Sequence, residues 1–263
     1  EDFYKRVEEL RSCGAKYVFL KTGAYRPRDL ALAAKCASEA KLDLLTVDAA
    51  GGGTGMSPWR MMNEWGVPCV ELWSLLHQYL DRLAAKKKFV PDVAIASGFT
   101  MEDQLFKGFA LGAPYVKLIG MARAPLTAAM VGKNIGIKIA QNQVPVYVAR
   151  FGRSKDEIFV STPELRRKLG GKFDSIPTGA IGLYTYMRRL EQGLRQIMCG
   201  SRKFGLQHIS RNDIAALTRE ASEVSGIPYI MECDKEEADR ILNSRRTICE
   251  ATTAVGDERT PGW

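Results

Sequence analysis

Short apolar runs recur along the first half of the chain, and most of them end in a loop of glycine and polar residues. The runs are KYVFLK at 16–21, LDLLTV at 42–47, CVELW at 69–73, DVAIASG at 92–98 and YVKLIG at 115–120. Between them apolar residues fall at helical spacing, at 2–13, 28–40 (after Pro27), around 59–64, 75–86 and 101–111. Phe3, Val7, Leu10 and Cys13 set that spacing in the first of these. Strands alternating with helices of this length predict β-α units with parallel strands.

An open doubly wound sheet and a closed β/α barrel both satisfy that alternation. An open sheet of the dinucleotide-binding type carries G-x-G-x-x-G after its first strand, and no such fingerprint occurs here. Special loops instead follow several strands: KTGAY at 21–25, DAAGGGTG at 48–55, ASGFT at 96–100 and IGMARAP at 119–125. A barrel assembles its site from many such loops at one end of the strands. The expectation is therefore an α/β fold of the TIM-type β/α barrel, with about five β-α units in this chain.

Beyond residue 146 the pattern changes. Residues 146–161 are irregular and polar, and 179–205 read as a long helix with Leu183, Met187, Leu190, Leu194 and Ile197 on one face. A third helical segment, 210–228, starts at Ser210 with Asp213 at the capping-box position and stops at Gly226-Ile227-Pro228. The predicted organisation is a β/α-barrel portion over 1–150, a helical extension of the same domain packed on it over 151–230, and a terminal helix with a loose tail over 231–263. The tail, 251–263, has no periodicity.

With 263 residues, 46% of them hydrophobic, the chain can bury a substantial core. Its net charge of +8 is scattered over short clusters such as 86–88, 166–168 and 245–246, without interleaved aromatics. That pattern argues against a nucleic-acid partner. Six cysteines lie far apart with no C-x-x-C pair, which reads as reduced, mostly buried thiols in a cytoplasmic protein. No apolar run is long enough to span a bilayer, so no membrane partner is expected.

The loops also suggest chemistry. In phosphate-binding barrels the late strand loops and a helix N-terminus hold the anion through free backbone N–H groups and the helix dipole. Ser97-Gly98-Phe99-Thr100 and Gly120-Met121-Ala122-Arg123 are the candidate phosphate loops, with hydroxyls from Ser97 and Thr100, bare backbone at Gly98 and Gly120, and Arg123 to pair the charge. As an alternative, Ser97 and Thr100 cap the helix that starts at 101. Lys21 ends a buried strand, where a lysine stabilises an anion or merely snorkels. His77 stands alone on an apolar helix, a setting in which a structural role is the commoner one.

GGTGMSP at 52–58, VPCVELWSLLHQ at 67–78 and IASGFTMEDQLFKGFALGAPYVKLIGMARAPL at 95–126 together resemble the FMN-binding barrel of glutamate synthase and its standalone relatives. The resemblance extends over about 1–226. It implies FMN as cofactor, with Lys21 as a flavin-contacting and catalytic lysine and Gly52, Gly53 and Thr54 in the glycine loop beside flavin and substrate. It also implies Ser97, Gly98, Phe99, Gly120, Met121 and Arg123 at the FMN phosphate, and Asp48, His77 and Gln78 towards substrate. The implied activity is that of an oxidoreductase: reductive amination of 2-oxoglutarate, or a related 2-oxo acid or imine, through flavin hydride. Its implied partners are an electron-donor protein or NAD(P)H-oxidising subunit and a glutaminase domain or chain.

Three departures qualify this. Ala50-Gly51 stand where the family has His-Asp before the glycine loop. Lys133, Ile139 and Val144 stand where the classical enzymes place three cysteines, so no iron-sulfur cluster is expected in this chain. Earlier strands of the family barrel are not found, so a further N-terminal barrel segment is an expected partner. The alternatives are an FMN barrel oxidoreductase with another substrate and a degenerate, non-catalytic barrel subunit. Nothing here suggests a bound metal.

Overall fold

The computed structural model of the chain describes residues 1–23, 26–52, 60 and 64–244. Four parallel strands, β1 (Phe19–Gly23), β2 (Leu44–Asp48), β3 (Asp92–Ala96) and β4 (Val116–Gly120), form one sheet in the order β1-β2-β3-β4. Helix α1 (Asp2–Ser12) precedes them, and α2 (Pro27–Glu39), α3 (Cys69–Ala85), α4 (Glu102–Gly112) and α5 (Arg123–Ala140) follow the strands in turn. Each strand thus neighbours the next in sequence, with a helix in the crossover. That order is compatible with one arc of a β/α barrel.

The expected strand at 69–73 is instead the first turn and a half of α3. In a strand Val70 and Leu72 would share a face, yet Val70 is 43% exposed and Leu72 is fully buried. Leu72, Trp73, Leu76 and Leu80 are buried at the spacing of one helical stripe. Four β-α units therefore stand among the described residues, not five.

Period-two alternation divides the sheet into two faces. Leu45 and Val47 of β2 and Val93 and Ile95 of β3 are wholly buried on one face, and Leu30 of α2 and Leu72, Leu76 and Leu80 of α3 complete this core. Burying each such side chain contributes about 1.5–3 kcal/mol. The opposite face is open, with Phe19 60% and Leu118 53% exposed. Its C-terminal end carries the site described below.

After α5 the chain makes short helical turns, then α6 (Thr162–Leu169) and α7 (Thr178–Gly200). Phe173 is fully buried among Phe159, Leu165 and Ile181, with the Lys155 ammonium and Arg166 guanidinium 4.6 and 4.5 Å from its ring centre. The first half of α7 crosses α5 at glycines, where a Cβ on Gly132 would lie 2.7 Å from the Thr178 carbonyl oxygen and 3.1 Å from the Gly182 Cα. Its second half packs Leu194, Ile197 and Met198 against Phe106 and Ala110 of α4. Of the residues expected on the buried face Leu190 is buried but Met187 is 46% exposed, and Ile181, not among those expected, is fully buried.

The predicted helix over 210–228 is mostly not one. Ser210 and Asp213 close a capping box on a single 3-10 turn, Arg211–Asp213. The helix proper, α8 (Arg219–Ser225), is capped by Thr218, whose hydroxyl accepts from the Ala221 amide at 3.1 Å, and it ends at Gly226 with φ +67°. The chain divides into two compact units, Glu1–Ile214 and Ala215–Trp263. The second unit holds α8 and α9 (Lys235–Asn243), and residues 251–263 lie outside the described residues.

The thiols also differ from expectation. Cys13 and Cys199 are exposed and Cys36, Cys69 and Cys233 half-buried, because they sit at helix surfaces and element ends, not in the core stripes. Cys249 lies outside the described residues. No described helix is long and apolar enough to cross a membrane.

Candidate functional site

Register brings the strand ends together in rows. Lys21 pairs with Thr46, which pairs with Ala94, which pairs with Leu118; one step on, Gly23 aligns with Asp48, Ala96 and Gly120. The last row is side-chain-poor except for Asp48. Gly120 is required there, since a Cβ on it would stand 2.9 Å from the Ala96 Cβ. Above this shelf opens a cavity of about 710 Å³, lined by strand residues Lys21, Thr46 and Asp48 and by the loops after β2, β3 and β4. The volume is in the range of small-molecule and cofactor sites, roughly 300–1,000 Å³.

The loops are tied to one another through the β2 loop. The Ala49 amide donates to the Ala96 carbonyl at 3.1 Å and the Ala50 amide to Val67 at 2.9 Å. The Ser97 hydroxyl donates to the Ala50 carbonyl at 2.5 Å, and Arg123 donates to the Gly51 carbonyl. Both side chains expected to bind phosphate therefore also hold backbone carbonyls of the glycine loop. The one O–H of Ser97 is committed by that bond, so its side chain keeps only acceptor capacity, which does not suit a phosphate oxygen, whereas the Arg123 guanidinium keeps donors among its five N–H groups. Ser97 sits at φ +147° and Gly98 at φ +70°, so this turn aims its backbone in a conformation that side-chain-bearing residues rarely adopt.

Helix α5 begins at Arg123, with no capping side chain and no acidic residue in its first turn. Its positive dipole end thus meets the cavity beside a guanidinium. Just before α4, Gln104 Oε1 accepts from the amides of Thr100 and Met101 at 2.8 and 3.0 Å, and the first turn of that helix carries Glu102 and Asp103. Neither Ser97 nor Thr100 caps that helix; the Thr100 hydroxyl donates to the Gly98 carbonyl at 3.3 Å.

Within the cavity Lys21 Nζ lies 3.1 Å from Asp48 Oδ2, the lysine side chain being 53% exposed and the aspartate 6%. Met121 and Leu126 add apolar lining. Phe99 contributes little but backbone, because its ring is buried and stacked on Trp73, with centroids 4.9 Å apart and planes 8° from parallel. Phe99→Ala is expected to cost about 3–5 kcal/mol of stability. A denaturant titration reads this, and a loss under about 1 kcal/mol would place the ring outside the core.

His77 and Gln78 are not brought to the cavity. His77 Nε2 lies 2.9 Å from the Ala113 carbonyl, just before β4 begins, which is the opposite end of the sheet. Its Nδ1 faces Asp81 at 3.3 Å, and Asp81 also accepts from Tyr115 Oη at 2.6 Å. Gln78 is exposed on the same helix. Gly53 and Thr54 lie outside the described residues.

Burial, and then the nearby Arg211 charge, hold the His77 pKa below its ordinary 6.5, outweighing Asp81 and the carbonyl. Between the depressed folded value and 6.5 the unfolded chain binds the extra proton, so this contribution is complete above 6.5 and declines as pH falls below it. Melting temperature should drop from pH 7 towards pH 5.5, and His77→Asn should flatten that slope; an unchanged slope would contradict the assignment.

Thr46 and Ala96 are site residues that motif reading missed. Strand parity carries the signal, since Thr46 stands two residues before Asp48 and both face the cavity. Among the described residues no group of three or more His, Cys, Asp or Glu is gathered to hold a metal. A family model described as the conserved region in glutamate synthase matches residues 1–144. No curated protein matches the chain.

Proposed function

The chain belongs to the glutamate synthase family, and from that premise we propose that it is an FMN-dependent oxidoreductase acting in reductive amination of 2-oxoglutarate or a related 2-oxo acid. The observation that carries the reading is the coincidence of an anion-receptive corner and a side-chain-poor shelf in one cavity. The corner is built from the start of α5, Arg123 and the Ser97-Gly98 turn. The shelf is formed by Ala96 and Gly120, in one row with Asp48, and an added Cβ at Gly120 would intrude on it. These residues fit a ligand with one phosphate and one flat ring. FMN, when bound, supplies hydride transfer.

In this reading Arg123, the α5 amides and the backbone at Gly98 hold the phosphate. Ser97 and Arg123 keep the β2 loop in place through the Ala50 and Gly51 carbonyls, so the wall of the cavity is fixed before ligand arrives. Lys21 offers an ammonium to negative charge on the substrate, and Met121 and Leu126 limit water on the apolar side. The open sheet face, with Phe19 and Leu118 exposed, supports further β/α units closing a barrel over the site. Electrons enter from a donor protein or NAD(P)H-oxidising subunit, and ammonia from a glutaminase domain or chain.

Competition between FMN and riboflavin tests the phosphate corner. Fluorescence quenching on titration should show FMN binding at least about a hundredfold more tightly, which is roughly 2.7 kcal/mol for the phosphate contacts. Equal affinities, or no binding of either, would overturn the reading.

A further inference from the structure

A buried carboxylate beside a lysine is an unexpected element in a cavity otherwise arranged for anions. Asp48 has only 6% of its side chain exposed, and it meets Lys21 at 3.1 Å on the cavity wall. A site for a plain dicarboxylate would gain from Lys21 alone and would be opposed by Asp48. Burial makes that opposition count, because solvent and salt screen it weakly. Its neighbours in the row, Gly23, Ala96 and Gly120, leave room next to the pair.

We propose that Lys21 and Asp48 form a receiver for a zwitterion, a 2-amino acid or its protonated 2-imino form, and that Asp48 sets the preference for the aminated ligand over the 2-oxo acid. The ligand's carboxylate takes Lys21 and its ammonium or iminium takes Asp48, so two charge-assisted contacts replace the internal one. Each of the two protein charges keeps an opposite charge beside it in the exchange. A 2-oxo acid takes only the lysine and leaves Asp48 facing a carbonyl oxygen, an acceptor against an acceptor. Asp48 is thus a specificity-determining residue for the reaction proposed above, and this inference rests on that proposal.

Calorimetric titration of the full-length protein with L-glutamate, 2-oxoglutarate and glutarate reads the preference directly. L-glutamate should bind at least about tenfold more tightly than glutarate, which differs only in lacking the amine, and than 2-oxoglutarate. Asp48→Asn should bring the three to within about twofold of one another. Lys21→Met should weaken all three. Wild-type affinities that do not favour L-glutamate, no binding of any of the three, or a preference that survives in Asp48→Asn would each overturn the proposal. The wild-type comparison needs no variant to fold, and retained FMN affinity shows that Asp48→Asn is intact. FMN binding without amine preference defeats this inference alone, whereas failure to bind FMN defeats the flavin reading.

Discussion

Gly120→Val is expected to weaken FMN binding by more than about a hundredfold, a change of roughly 2.7 kcal/mol. The Cβ of any replacement would stand 2.9 Å from the Ala96 Cβ and 3.8 Å from the Ile95 carbonyl oxygen. Ala96 cannot move its methyl aside as a long side chain would, because that carbon is fixed to the backbone of β3. The added branches therefore extend over the shelf or push β4 from β3. Overpacking of this kind costs about 1–3 kcal/mol of stability, which a thermal melt reports separately from affinity. A variant that melts lower but binds FMN as tightly as wild type would show that the shelf does not face the flavin. Gly98 offers a contrast, since a Cβ there meets nothing within 4 Å and the constraint is its φ of +70° alone.

Gly132→Ala discriminates even more sharply, because two principles give opposite signs. Helix propensity predicts that replacing an interior glycine of α5 with alanine stabilises by about 1 kcal/mol. The crossing with α7 predicts the reverse. An added Cβ would approach the Thr178 carbonyl oxygen to 2.7 Å and the Gly182 Cα to 3.1 Å, and both are backbone atoms. Glycines on the other helix are equally committed, with Gly179 and Gly182 facing the carbonyls of Ala129 and Ala128 at 2.9 and 2.8 Å from their built Cβ positions. The expected net loss is about 1–3 kcal/mol, or roughly 2–12 °C in melting temperature for a unit of this size. A raised melting temperature would mean that α5 and α7 do not meet at these glycines.

The strand ends were the most legible part of the chain. Asp48, Gly52, Ser97, Gly98, Gly120 and Arg123 were singled out from loop chemistry and family resemblance, and they line one cavity. The reason is that parallel strands must place their C-terminal loops on one side, whatever the details of packing. A strand is expected at 69–73, where the structure has a helix, because a short apolar run has no period of its own, and only the burial of Leu76 and Leu80 one and two turns on reveals the helix. Met187 fails for a related reason: glycines on α7 carry no hydrophobic signal, yet they are where the helix is pressed most closely to its neighbour.

Side-chain partners were least legible. Nothing in the spacing of Ser97 or Arg123 shows that they bond Ala50 and Gly51, since those bonds join loops separated by 47 and 72 residues. His77 lies near the motif in sequence but at the opposite end of the sheet from the cavity, where Ala113, Asp81 and Tyr115 occupy it. The resemblance gives Lys21 and Asp48 separate roles, whereas the register of β1 with β2 makes them a pair.

A crystal of the full-length protein grown with FMN locates the cofactor directly. The phosphate should lie within hydrogen-bonding distance of Arg123 and the Gly98 amide, with the ring over Gly120. Flavin bound elsewhere, or a cavity that stays without flavin at saturating FMN, would contradict the assignment of this site.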